Sequence, residues 1–405
     1  MTKRILCLIL CIGISLTLSG CYGREEPKTL AIVLSSLYDI KDDGSYQVTA
    51  EIINPAAHGG PSGPASGKNP TITAVSEGKS IPEAVKNVSE SLEKTIFSRL
   101  NEVRFFSEEF AKKNMVSVMD FFTRDHLTDE YPLIVIIKDE DPKRIYSSML
   151  GLSDTVGDYF ESLSIQQPNT ISRSVFIDTL EFIKDYYEDG KQPVAGVAEL
   201  VECEDKPSEK TGADSQTSQG SEDNKKYKIK YEGLAAFKDG KLVGYMDGIE
   251  TRSYNLIMNK IKSANVSIPS GDDFTVITIK NSKSDIKTTI KNDQIAIDVK
   301  IKMDMSIIQE GGVIDISKSE PLKEVEDSIN KKMKEEITAS IKKAQTEFQS
   351  DIFGFGKAVH IQHPQKWEEI KESWDDYFAK ASINVTVESS ADRSGEIKQP
   401  FRMVG

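Results

Sequence analysis

Cysteine is scarce: there are four in a chain of 405 residues. Cys7 and Cys11 lie in an apolar stretch near the start, Cys21 closes it, and Cys203 stands alone far downstream. Once that stretch is removed and Cys21 is occupied, Cys203 has no partner for an intramolecular disulfide. An exported form must then be held together by its core. Histidine is equally scarce, with four residues, so little material exists for metal sites. Positive charge is also short, with 51 Lys+Arg against 64 Asp+Glu and a net charge of −13. Losing Lys3 and Arg4 would take the balance to about −15. So acidic a body repels nucleic acid and anionic lipid headgroups. After residue 20 no apolar run approaches the roughly 20 residues that a spanning helix needs.

Catalytic signatures are missing too. There is no Gly-x-Ser-x-Gly elbow, and the carboxylates are scattered over polar faces without a distinguishable acid–base pair. In "GPASGKN" Ser62 stands where a phosphate loop needs its first glycine, and Asn69 replaces the magnesium-binding Ser or Thr. It reads as a plain loop. Gly354-x-Gly356 has Val359 at the third glycine position and follows a long helix, not a strand, so it reads as a turn. His360 and His363 have no Glu between them, and Pro364 argues against a helix there. A surface loop is expected in place of a metal centre, and His58 and His126 are in unrelated contexts. Trp367 and Trp374, seven apart, are expected to pack one helix face into the core. No catalytic, cofactor-binding or metal-ligating residue is assigned, and no cofactor is expected.

What is present begins at "LTLSGCYG". Lys3 and Arg4 precede the apolar run Ile5–Leu18, which is followed by small residues: the layout of a secretory signal peptide. Leu18-Ser19-Gly20-Cys21 has the Leu, two small residues and Cys of a lipoprotein cleavage site. Cys21 would become the first mature residue, carrying an S-diacylglyceryl group and, as an option, an N-acyl group. An ordinary signal peptide cut after Gly20 is the bland alternative. Two acyl chains give durable anchoring where one is marginal. Tyr22–Lys28, containing Pro27, reads as a tether. The protein is expected on the outer face of a membrane it does not span.

Residues 21–201 read as a mixed α/β domain. Strands at Thr29–Ile40 and Ser45–Pro55 flank the turn Lys41-Asp42-Asp43-Gly44, and "TITAVSEG" adds a third. Ser80 and Glu83 form a capping box with Pro82 in the first turn. The spacing of Ala84, Val85, Val88, Leu92 and Ile96 predicts one helix beyond it. "SEEFAKKNMVSVMDFFTR" gives two short helices, and "YPLIVIIKD" a strand buried on both faces. Further helical patterns lie at Asp141–Leu150 and Ser174–Tyr187. Residues 202–226 are expected to be a disordered polar loop, with Cys203 an idle thiol at its start. Residues 227–269 give a hairpin turning at Asp239-Gly240 and a helix through Tyr254, Leu256, Ile257 and Ile261. Residues 270–400 form an α+β unit. Ile295, Ile297, Val299, Ile301, Met303, Met305 and Ile307 alternate with polar residues, as in a half-buried antiparallel strand. From Pro321 to Gln349 the period becomes helical, placing one long amphipathic helix across that sheet. A shorter helix around Trp367–Phe378 and the strand "INVTVES" complete the unit. The fold class is therefore α+β, multi-domain, with an N-terminal mixed sheet and a C-terminal antiparallel sheet under one long helix.

The segments "GCYGREE", "AVSEGKSIPEAV", "EEFAKKNMVSVMDFFTRD", "YEGLAAFKDGKLVGYMDGIET" and "DIFGFGKAVHIQHPQKWEEIKESWDDYF" together resemble the Ger(x)C family, in family order over nearly the whole mature chain. Members are the lipoprotein C subunits of nutrient germinant receptors in bacterial endospores. The resemblance implies three mixed α/β domains and a place at the spore inner membrane. The implied partners are an integral-membrane A subunit and a transporter-like B subunit that senses the nutrient. It carries over one position, Cys21 as the acylated residue. An acidic, tethered, multi-domain chain without catalytic motifs agrees with a non-catalytic subunit in spore germination. The rival is a substrate-binding lipoprotein of a membrane transporter, which the antiparallel strands of 270–310 disfavour because such proteins need two lobes of alternating strand and helix.

Overall fold

The computed structural model describes residues 4–5, 29–57, 69–125, 128–167, 172–203, 226–270, 273–309 and 319–391. Cys21 with its tether, His58, His126 and most of the polar 202–226 segment lie outside the described residues.

The first sheet has nine strands. β1 (Leu30–Ile40) and β2 (Tyr46–Ile53) form the expected hairpin, with Gly44 at φ +81° in its turn, and β3 (Thr71–Gly78) extends it antiparallel. Helix α1 (Ile81–Glu90) follows, the Ser80 side chain accepting from Glu83 N. The Glu83 carboxylate accepts from Lys79 N, one residue short of a closed capping box. α1 stops where the sequence reading carried it on to Ile96. Thr95, Ile96 and Phe97 instead make β4 (Thr95–Phe97), pairing parallel to the start of β1. Two β-branched residues and an aromatic fit a pleated edge better than a helix end.

β5 (Val103–Ser107) comes next, followed by the two short helices expected, α2 (Glu108–Lys113) and α3 (Met115–Arg124), which break at Asn114. β6 (Leu133–Lys138) is central and almost wholly buried, parallel to β5 and to β7 (Val194–Glu202). Between β6 and β7 the expected helix at Asp141–Leu150 shrinks to a 3-10 segment, Pro142–Ser147. α4 (Val156–Gln166) appears where no helix was assigned, and α5 (Thr179–Tyr187) starts only after its cap Asp178. β8 (Tyr227–Lys238) returns antiparallel to β7, and β9 (Lys241–Met246) ends the sheet. Asp239 and Gly240, both at positive φ, make the hairpin turn. The parallel centre β1-β5-β6-β7 thus carries an antiparallel hairpin on each side.

Neighbouring residues on these strands serve opposite faces. Phe105, Val135 and Ala198 pack with Val156 and Phe160. Phe106, Ile136 and Val197 belong to a larger apolar cluster that continues without interruption into the second sheet.

α6 (Gly248–Ile257) leads to that sheet: β10 (Ala264–Ser270), β11 (Asp273–Lys291), β12 (Gln294–Gln309) and β13 (Ser382–Ala391). The first three are antiparallel, whereas β13 adds to β12 in parallel because the intervening helices cross over the sheet. α7 (Ser319–Lys343), continued by a π-turn at Ala344–Phe348, covers it. The stripe Leu322, Val325, Ile329, Met333, Ile337, Ile341, Ala344 and Phe348 is buried throughout, as its spacing predicts. α8 (Phe355–Gln362), α9 (Pro364–Ile370) and α10 (Trp374–Lys380) precede β13. No helix among the described residues is long and apolar enough to cross a membrane.

Candidate functional site

Buried polar groups converge between β7–β9 and the segment after α7. Gln349, at φ +49°, ends the π-turn, and Ser350 donates to Phe237 O at 2.6 Å. Asp351 is buried. Its carboxylate accepts from Phe355 N (3.1 Å), Gly356 N (2.7 Å) and Trp374 Nε1 (3.0 Å). Burial pushes its pKa up to about 6, outweighing these donors. The Asp351 carbonyl accepts from Gln192 N at 2.9 Å, and Gly190 O accepts from Lys357 N at 3.1 Å.

Glycine is required on both sides of this contact. A Cβ on Gly356 would lie 2.6 Å from Gly190 Cα and 2.7 Å from Trp374 Nε1, and Gly190 itself is at φ +72°. Ion pairs border the seam: Lys357–Glu188 at 2.6 Å, Lys191–Asp185 at 2.6 Å and Lys238–Asp375 at 2.8 Å. The glycines of "DIFGFGKAV" therefore serve close backbone approach and a helix start, Gly354 being the left-handed N-cap of α8.

α6 makes a second seam. Asp247 and Glu250 close a full capping box, and almost every residue of the helix is buried. Arg252, 3% exposed, pairs with Glu336 of α7 at 2.6 Å, and Lys343 pairs with Glu250 at 2.8 Å. Asn255 donates to Ser172 O and Ser174 O. Asn259 bonds Ser284 N and O on the edge of β11, and Gln362 does the same for Thr288 N and Ile286 O. Beyond Ile279, where β10 ends its pairing, these side-chain amides take the place of a neighbouring strand.

The histidines correct one expectation. His360 lies on α8, not in a loop: Pro364 opens the next helix at its first position, where a missing N–H does no harm. The His360 ring stacks on Trp367, centroids 5.5 Å apart, while His363 Nε2 is 3.0 Å from Thr288 O. The two imidazoles are engaged separately. Among the described residues no three His, Cys, Asp or Glu gather as metal ligands. Trp367 and Trp374 are buried with centroids 5.5 Å apart, but on two helices joined by a 3-10 turn, not on one. Half-buried Cys203 has Sγ 4.0 Å from Met149 Sδ.

Sequence reading did not find the buried charges. Glu51 takes the N–H groups of Val156 and Gly157 at the start of α4 and the Ser35 hydroxyl. Arg104 donates to Thr179 Oγ1 and Asp129 O and stacks 3.9 Å above Phe122, burial lowering its pKa to about 10. Only a charge at an inward position of an otherwise apolar strand could have signalled them. Each holds two elements together. Among the described residues these groups interlock neighbouring elements.

The family model described as "Spore germination protein N-terminal domain" matches residues 23–200, and "Spore germination B3/GerAC like, C-terminal" matches residues 232–395. The chain is 23% identical to spore germination protein KC of Bacillus subtilis, covering 99% of this chain and 98% of that protein. It is 25% identical to spore germination protein B3 of the same organism, covering 92% and 93%. The crystal structure of the GerBC protein superposes with a TM-score of 0.52 at 18% identity, over 87% of this chain and 96% of that one.

Proposed function

Because the chain belongs to the Ger(x)C family of spore germination proteins, we propose that it is the lipid-anchored, non-catalytic C subunit of a nutrient germinant receptor. Cys21 carries the lipid, and the folded body stands on the outer face of the spore inner membrane. There it works with integral-membrane A and B subunits. The observation that carries this reading is the order of the chain: Leu18-Ser19-Gly20-Cys21 directly precedes a body that spore germination relatives match almost end to end. The buried polar groups support it, since they join helix to strand and helix to helix, and among the described residues these bonds tie elements together. A net charge of −13 argues for contact through the anchor and protein partners, not through a basic surface on lipid headgroups.

The test is nutrient-triggered dipicolinate release from spores lacking the gene, complemented with the natural chain or with Cys21→Ala. Deletion is expected to slow release. Cys21→Ala is expected to yield a folded protein that is lost from the membrane fraction and rescues poorly. Unchanged release in the deletion for every germinant that the parent spores answer would overturn the receptor reading. Full rescue by Cys21→Ala would overturn the anchor.

A further inference from the structure

Helices α3 and α5 lie side by side on the first sheet, and the groove between them is apolar and shallow, about 20 Å³ in volume. Val116, Met119, Ile183, Tyr186 and Tyr187 line it, Tyr187 being 76% exposed and Val116 40% exposed. The β8–β9 turn closes one end: a Cβ on Gly240 would strike Val116 and lie 3.2 Å from Tyr186 Cε2. Tyr186 and Tyr187 also border an adjoining cleft of about 410 Å³, so the groove and the cleft form one continuous surface.

That cleft is acidic. Glu188, Asp189, Asp239, Glu372 and Asp375 all line it. Its two lysines are already held, Lys191 by Asp185 at 2.6 Å and Lys371 by Glu368 at 2.7 Å. Glu188 and Asp375 have their own lysines, and Asp189 has only His360 Nδ1, at 3.9 Å. Asp239 and Glu372 have no cation within ion-pair distance among the described residues. One exposed tyrosine, Tyr187, and a half-buried one, Tyr186, beside a polar rim match the aromatic enrichment of binding hot spots.

We propose that this surface docks a segment of another protein subunit, apolar or aromatic at its centre and basic on its flanks. Charge selects that occupant. A second copy of this chain, net −13, would bring acidic surface to an acidic rim, and an anionic lipid surface would be repelled. That the partner is a fellow receptor subunit rests on the function proposed above; the groove and its charge do not.

Two measurements separate those layers. In the first, a fluorescent peptide with a Leu-Phe-Leu centre and lysine flanks is titrated onto the purified full chain, beside a counterpart with glutamate flanks. The lysine peptide is expected to bind at least about tenfold more tightly. Tyr187→Ala, and separately Asp189→Lys with Glu372→Lys, are each expected to weaken it about tenfold or more with the unfolding midpoint unchanged. Equal affinity for the two peptides, or indifference to both variants, overturns the docking surface. In the second, a photo-crosslinking residue replaces Tyr187 in spores whose germination depends on the gene. A crosslink to another receptor subunit supports the proposal. A crosslink only to a second copy, or none, overturns the surface while the receptor function stands. If germination never depended on the gene, the receptor reading fails and the peptide titration alone decides the groove.

Discussion

Gly190 and Gly356 meet backbone against backbone, one leading into β7 and the other in the first turn of α8. A Cβ on Gly356 would lie 2.6 Å from the Gly190 Cα, closer than real contacts allow. Gly356→Ala therefore forces the β7 approach and the α8 start apart, and is expected to destabilise by about 1–3 kcal/mol, the usual penalty of overpacking. Gly151, at φ +65° with nothing within 4 Å of its hypothetical Cβ, is the control. Gly151→Ala meets only the left-handed backbone penalty of about 1–2 kcal/mol. Urea unfolding of the full chain checks both. A Gly356→Ala midpoint equal to that of the natural chain would show that the seam can open without loss.

Asp351 gives that seam a pH dependence with a definite sign. Its folded pKa is raised from 3.8 to about 6 by burial. Protonation is thus easier in the folded than in the unfolded chain, and the contribution of this group is fully present below its ordinary pKa. It is lost as pH rises through about 6. A shift of this size corresponds to about 3 kcal/mol. Asp351→Asn removes the titration. The stability difference between the natural chain and Asp351→Asn is expected to move against the natural chain between pH 4 and 7 and then level off, by guanidinium unfolding in matched buffers. Parallel curves across that window would show that the three N–H donors hold the carboxylate ionised throughout.

Arg252 and Glu336 form the buried link between α6 and α7, with N···O at 2.6 Å. Glu336→Gln leaves buried Arg252 as an uncompensated charge and is expected to destabilise by about 3–5 kcal/mol. After Arg252→Met, by contrast, the Glu336 carboxylate keeps Lys332 at 3.1 Å, and the loss is expected to be smaller. The pair replaced together by Met and Leu is expected to recover most of that loss, since two apolar side chains need no desolvation. Simple additivity of the two single losses in a thermal unfolding cycle would contradict the direct pairing.

The legible parts of the fold are those governed by side-chain period. β12 and α7 bury the residues their alternation and helical spacing predict, from Ile295 to Met305 and from Leu322 to Phe348. Local patterns were less reliable where pairing decided the outcome. Ile96 fits the apolar stripe of α1, yet Thr95–Phe97 pairs with β1. Pro364 looked like a break in structure and turned out to be a start, because a proline that cannot continue α8 is well suited to open α9. The seam was not legible at all. Asp351 and Gly190 are far apart in sequence, and nothing local marks a carboxylate as buried or a glycine as crowded.

Gln362 shows how such a long-range device can be tested. On the edge of β11 its side-chain oxygen accepts from Thr288 N at 2.8 Å and its amide donates to Ile286 O at 2.9 Å, as a paired strand would. Gln362→Ala leaves one donor and one acceptor of an edge strand open, at a net loss of about 1–3 kcal/mol. The local consequence is sharper than the global one. Hydrogen exchange at the Thr288 amide is expected to accelerate to the rate of local fraying while amides in β12 keep their protection. The opened edge also becomes a template for another chain, so the variant is expected to self-associate at lower concentration than the natural protein. Light scattering of matched solutions reads that directly. Unchanged exchange at Thr288 would mean that its bond to Gln362 is not what protects the amide, and that His363, 3.0 Å from Thr288 O, holds this edge in place.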